Sequence, residues 1–115
     1  MTAPQTNSAA QDIVLAFINA LNREDFAAAR DCVSDDLTFI GVLGTRNGAE
    51  AYFSDMSRMK LKYAVKKVFT DGADVCLFYD ITMGDKTIFS CGWYQLVNNK
   101  ISTFRVLFDP RPLLQ

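Results

Sequence analysis

Near residue 60 the apolar side chains change their repeat, from every third or fourth position to every second one. Upstream, Ile13, Val14, Phe17, Ile18 and Leu21 recur at helical spacing behind a Ser8 and Gln11 capping-box signature, which predicts an amphipathic first helix ending near Asn22. Residues 1–7 are small and polar and are expected to form a flexible arm. Asp25 stands where it can cap a short second helix with Phe26, Ala29, Cys32 and Val33 on its apolar side, stopped by the turn formers Ser34, Asp35 and Asp36. Residues 37–42 are apolar, partly β-branched and followed by Gly44, the pattern of a strand. Asn47 is expected to cap a third helix over residues 48–58, with Glu50 in its first turn and Phe53 and Met56 on one face.

Beyond that point four runs, 61–70, 75–83, 87–97 and 101–108, are separated by Asp71-Gly72, Gly84-Asp85 and Asn98-Asn99, each a hairpin-type dipeptide. They predict a meander of four antiparallel strands. Asp109-Pro110 ends the last of them, and Pro110 with Pro112 predicts an extended tail. Helices followed by a long meander make an α+β order, in one domain spanning residues 1–115, and not the alternation of a parallel doubly wound sheet.

If each hairpin turns on two residues, directly opposed side chains share a face. One face then carries Tyr63, Phe78, Asp80, Phe89, Cys91, Trp93, Phe104, Val106 and Phe108, an aromatic surface with one carboxylate in its middle, expected to face inward. The other carries Leu77, Tyr79, Ile81, Ile88, Tyr94, Leu96, Arg105 and Leu107, too apolar to be left in water. A second copy is the economical cover, so a homodimer through this outer sheet face is expected. A bulge in any hairpin would exchange the two sets.

Composition narrows the functional classes. Of 115 residues, 50% are hydrophobic and 22% charged, which suits one folded domain and excludes a disordered chain. Twelve Lys and Arg against 13 Asp and Glu leave a net charge of -1 and no basic face for phosphates, so nucleic acid is not an expected partner. No apolar run approaches the ~20 residues of a membrane helix, and the start lacks a basic segment followed by an apolar one, so a cytoplasmic protein without membrane contact is expected. There is no His, which removes imidazole as base or metal ligand. Cys32, Cys76 and Cys91 are widely spaced without a C-x-x-C, so neither a disulfide framework nor a zinc site is expected, and no metal or cofactor.

Taken in order, Phe17 to Asn22 (FINALN), Asp25-Phe26, the Ser34-Asp35-Asp36 step into a strand, Asn47-Gly48 opening a helix, Lys100-Ile101 to Arg105, and Phe108-Asp109 resemble the nuclear transport factor 2-like superfamily. That group includes SnoaL-like polyketide cyclases, ketosteroid isomerases and limonene epoxide hydrolases. The resemblance runs from Ile13 to Asp109 and implies a curved sheet wrapped round helices into a cone, usually dimeric, with chemistry at the cavity wall. It does not carry over a catalytic set. The tyrosine, base and donor aspartate of the isomerases fall on Phe17, Gly41 and Cys91. Of the arginine and two aspartates of the epoxide hydrolases, one aspartate matches Asp80, while the others fall on Phe78 and near Val106. The His-containing site of the cyclases is absent.

Asp80 is the sharpest candidate, because desolvation among aromatics would raise its pKa and suit it to proton transfer, with Tyr63 opposite to orient it and Lys67 as a counter-charge. Phe17, Phe53, Met56, Phe78, Cys91, Trp93, Phe104, Val106 and Phe108 are expected to line an apolar cavity for a small hydrophobic, ring-containing molecule. Three readings stay open: a small-molecule binding domain, an isomerase, dehydratase or cyclase using Asp80 as general acid or base, and a non-enzymatic dimerisation or docking module with a filled cone.

Overall fold

The computed structural model describes residues 4–113, and side chains from residue 9 onward. Helix α1 spans Pro4–Asn22, so it takes in part of the expected arm and passes through Ser8, whose capping role lies outside the described side chains. Val14, Phe17, Ile18 and Leu21 are buried on its inner side, at the spacing the sequence shows. Its last residue clamps the sheet: the Asn22 amide donates to the Tyr63 carbonyl at 2.9 Å and accepts from the Tyr63 N–H at 2.7 Å. Helix α2 is one short turn and more, Phe26–Arg30, capped by the Asp25 carboxylate, which accepts from the Ala28 N–H at 3.1 Å.

Strand β1 covers Val33–Ile40 and starts four residues earlier than expected, because Val33 pairs with Ile101 at the far end of the chain. The small strand β2, Thr45–Asn47, was not expected and returns against β1. Helix α3, Ala49–Met59, has Gly48 at its N-cap in place of Asn47, at φ 96° and with no side-chain cap, and it closes on Lys60 in the left-handed region. Strands β3 (Lys62–Asp71), β4 (Asp74–Met83), β5 (Lys86–Val97) and β6 (Lys100–Phe108) form the expected meander. The tail is not extended: Arg111–Leu113 makes a 3-10 turn, with the Arg111 N–H and guanidinium both donating to Asp109.

The six strands form one sheet in the order β2-β1-β6-β5-β4-β3. It is mixed, since β1 lies parallel to β6 while every other pair is antiparallel. The sheet curls over α1 and α3, and the α+β cone holds the core between them.

Two bulges decide what faces that core. The β4–β5 register is the one expected, with Phe78 opposite Cys91 and Asp80 opposite Phe89. Lys66 is an unpaired extra residue in β3, and Ser102 another in β6. Each shifts the pairing by one residue and so turns the side chains beyond it to the other face. Tyr63, Phe104, Val106 and Phe108 therefore join Leu77, Tyr79, Ile81, Tyr94 and Leu96 on the concave side. Phe78, Asp80, Phe89, Cys91 and Trp93 stay together with Arg105 and Leu107 on the convex side, the reverse of the expected assignment.

Gly92 marks the concave face. A Cβ there would lie 2.2 Å from the Tyr79 hydroxyl and 2.8 Å from the Tyr94 ring, so only glycine leaves space for the two phenols to meet at 2.7 Å. Replacing Gly92 with alanine is expected to lower the unfolding free energy by about 1–3 kcal/mol, as overpacking does in other cores. Urea unfolding with an unchanged slope is the check.

Candidate functional site

At one end of the cone the side chains leave a cavity of about 210 Å³. Every layer contributes to its wall. From α3 come Tyr52, Asp55, Met56 and Met59, which share one helix face at i, i+3, i+4 and i+7. The strands contribute Tyr63 on β3, Ile81 and Met83 on β4, and Phe104, Val106 and Phe108 on β6, with Leu61 just ahead of β3. Phe39, with Val42 and Leu43 in the loop between β1 and β2, and Leu113 of the closing turn complete it.

The wall is apolar except at two places. One is Asp55, the single charged side chain among the lining residues; it accepts from the Arg46 Nε at 2.7 Å and an Arg58 guanidinium nitrogen at 2.6 Å. The Arg46 hydrogen bond, helped by the charges of both arginines, holds its pKa below the usual carboxylate range. The other is a pair of phenols, Tyr52 and Tyr63, behind which Tyr79 and Tyr94 lie outside the lining. Tyr52, Tyr63, Tyr79 and Tyr94 are all the tyrosines of the chain, and all four are buried. Tyr79 and Tyr94 satisfy each other, and Tyr94 also stacks on Phe104 at 4.4 Å. The Tyr52 hydroxyl is buried and has no hydrogen-bond partner among the described residues. After burial, the charge and hydrogen-bonding pull of neighbouring Tyr63 add to its upward shift, although the two hydroxyls stay farther apart than a formed hydrogen bond.

Burial is the main cause that pushes all four phenols above their ordinary value, so each stays a neutral O–H near pH 7. Of the four, only Tyr52 and Tyr63 belong to residues that line the cavity, and as neutral hydroxyls they are donors for an acceptor that reaches them. Among the described residues no group of three or more His, Cys, Asp or Glu is placed to hold a metal ion.

Of the residues anticipated for the site, Tyr63, Met56, Phe104, Val106 and Phe108 line the cavity. Phe17 is fully buried below it, edge-on to Phe104 at 5.9 Å, and Phe53 is half-buried beside Phe17 and Tyr52. Phe78, Asp80, Cys91 and Trp93 lie across the sheet, because the bulges at Lys66 and Ser102 separate them from Tyr63 and β6. Asp80 is accordingly not a neighbour of the Tyr63 phenol; it lies 3.6 Å from the Lys66 ammonium, while Lys67 sits over the Phe69 ring. Among the lining residues not anticipated are Tyr52, Asp55, Met59, Phe39, Leu61, Ile81 and Met83. The helical spacing of Tyr52, Met56 and Met59 was the available signal for the first.

A curled sheet closed by two helices, hollow at one end and lined there by alternate strand residues, defines a cone-shaped α+β domain with an internal cavity. Residues 14–104 match the model of the SnoaL-like domain, and the chain belongs to that family within the nuclear transport factor 2-like superfamily. No curated protein matches. Among solved structures, the chain is similar to a nuclear transport factor 2-like protein of unknown function from Cytophaga hutchinsonii, with 49% identity and a TM-score of 0.91 over 92% of this chain and 95% of that one. It is also similar to an LEH-like epoxide hydrolase from M. tuberculosis, with 26% identity and a TM-score of 0.78 over 94% of this chain and 88% of that one. A nuclear transport factor 2-like protein from Burkholderia xenovorans, 16% identical with a TM-score of 0.82 over 90% and 85%, shares the fold. No helix among the described residues is long and apolar enough to cross a membrane.

The buried phenols set an alkaline limit on stability. The unfolded chain ionises its tyrosines near pH 10 while the folded chain does not, so their contribution is intact below pH ~10 and is lost as pH rises beyond it. The loss is up to about 1.4 kcal/mol per tyrosine per pH unit. In a spectrophotometric titration all four phenolates are expected to appear in one cooperative step together with unfolding. A gradual rise at constant circular dichroism would contradict it.

Proposed function

We propose that the protein binds a small neutral, largely apolar molecule in the cavity, with the Tyr52 hydroxyl donating a hydrogen bond to its one acceptor oxygen. The unpartnered O–H of Tyr52, buried at a largely apolar wall that the Tyr52 side chain itself helps to line, carries this reading. A buried hydroxyl without a partner costs about 1–3 kcal/mol, which an acceptor in the cavity would recover. A volume of about 210 Å³ equals roughly seven waters at ~30 Å³ each, the bulk of a single substituted ring. Anions are disfavoured, since the one charged lining residue is Asp55 and its two arginines are already engaged by it.

Holding a molecule suits these groups better than moving protons. General acid–base catalysis favours a pKa near the working pH. Here the phenols are pushed up and Asp55 is held down. Asp80, the carboxylate on which an isomerase, dehydratase or cyclase reading rests, faces the other side of the sheet. The unfilled volume weighs against a module devoted to docking alone, for which Phe17, Trp93 and Phe104 would have to plug the cone. The epoxide hydrolase from M. tuberculosis is a neighbour whose name implies a neutral oxygenated substrate, in keeping with this ligand class.

Calorimetric titration with a cyclic hydrocarbon, the ketone of the same ring and the matching carboxylate tests the assignment. The ketone is expected to bind best and the carboxylate worst. Tyr52→Phe should weaken the ketone roughly 5- to 10-fold, one neutral hydrogen bond, and leave the hydrocarbon unchanged. Absence of binding by both neutral probes would reject the reading.

The convex face supports a second assignment, to a second copy of the chain. Phe69 (54% exposed), Phe89 (59%), Trp93 (42%) and Leu107 (64%) stand on it, an apolar surface of the kind that self-complementary dimers cover. Sedimentation should show a dimer that Phe89→Asp dissociates without loss of helix or sheet signal; a wild-type monomer at micromolar concentration would remove the assignment.

A further inference from the structure

The convex face holds a pair of thiols that the ligand cavity does not use. Cys76 stands opposite Trp93 and Cys91 opposite Phe78, so the two cysteines are diagonal neighbours on adjacent strands of one face. Strand twist brings one diagonal of each such quartet together, and here the two Sγ atoms lie 3.4 Å apart. The third thiol, Cys32, lies elsewhere, in the step from α2 to β1, and its Sγ is 3.6 Å from the Ala28 carbonyl. Cys76 and Cys91 are both half-buried, and they share the face with the stacked Phe78 and Phe89 rings and with Trp93. Fifteen residues of separation concealed the pair in the sequence, where the wide spacing of the cysteines spoke against a disulfide framework.

We propose that Cys76 and Cys91 form a modification site, a dithiol that closes to an intrachain cross-strand disulfide by exchange with a low-molecular-weight disulfide such as glutathione disulfide. One cysteine thiolate attacks a sulfur of the small disulfide and displaces the first small thiolate, leaving a mixed disulfide on the protein. The second cysteine thiolate attacks the protein sulfur of that mixed disulfide, forms the Sγ–Sγ bond and displaces the second small thiolate. The protons given up by the two cysteines end on the two small thiols, so two protein thiols are oxidised and one small disulfide is reduced. The fold contributes proximity, since the second attack starts from sulfurs already in contact. Burial and the adjacent Cys76 push the Cys91 thiol up to about 11, so it stays protonated near neutral pH and is a slow nucleophile there. The site lies across the sheet from the cavity and does not rest on the ligand-binding reading.

The test is an equilibrium one, in which the protein is equilibrated with glutathione buffers by cycles of unfolding and refolding, so that cover by a second copy does not block access. The three thiols are then counted and the linkages mapped by digestion and mass spectrometry. In native buffer the Cys76–Cys91 link is expected to form with an effective concentration at least 100-fold higher than in urea, leaving Cys32 outside it. Cys32→Ser should retain the link and Cys76→Ser should abolish it. A ratio near one, or dominance of mixed glutathione disulfides on Cys76 and Cys91 in the folded chain, would overturn the proposal.

Discussion

The contact on which the rest depends is the meeting of the Tyr79 and Tyr94 hydroxyls over Gly92. Two polar groups are taken out of water there, and each is satisfied only by the other. Deep burial of a phenol without such a partner is costly, so the pair specifies this face of the sheet as the interior more sharply than apolar side chains alone would. Both faces of β4 and β5 are rich in aromatic residues, and hydrophobicity by itself does not choose between them. Once the choice is made, α1 and α3 pack on the tyrosine side, and Phe104 and Phe17 follow as ring neighbours of Tyr94.

Much of this fold was legible in the amino-acid order. The first helix, the third helix and the four long strands lie within a few residues of where period and turn chemistry put them, and the resemblance to nuclear transport factor 2-like proteins reached the right superfamily. The site was less legible, for a local physical reason. Side chains in a strand have period two, so a single unpaired residue reverses every position beyond it. Lys66 and Ser102 are such residues, and neither carries a sequence mark as clear as Asn98-Asn99, whose positive φ angles make a tight turn. Five anticipated residues therefore reach the cavity while Phe78, Asp80, Cys91 and Trp93 lie beyond the sheet. One clue was present: a glycine inside a strand commonly marks a close approach, and Gly92 shares its face with Tyr94 and not with Trp93.

The same exchange of faces separates two kinds of chemistry by the thickness of one sheet. The concave side offers neutral hydroxyls in apolar surroundings. The convex side offers thiols, an Asp80–Lys66 ion pair and exposed rings, which suit surface events. Because backbone hydrogen bonds of β4 and β5 are common to both sides, a change in the spacing of these strands on one side is felt on the other.

The position of β6 has a consequence for biogenesis. Of the six described strands it is the last in chain order, yet it sits in the middle of the sheet, parallel to β1 and antiparallel to β5. Until it emerges, β1 with its hairpin partner β2 has no link to the meander, and two unprotected edges face each other across an empty slot. The polypeptide is therefore most vulnerable to misassociation before β6 has been made, and closure is a long-range event joining Val33 to Ile101.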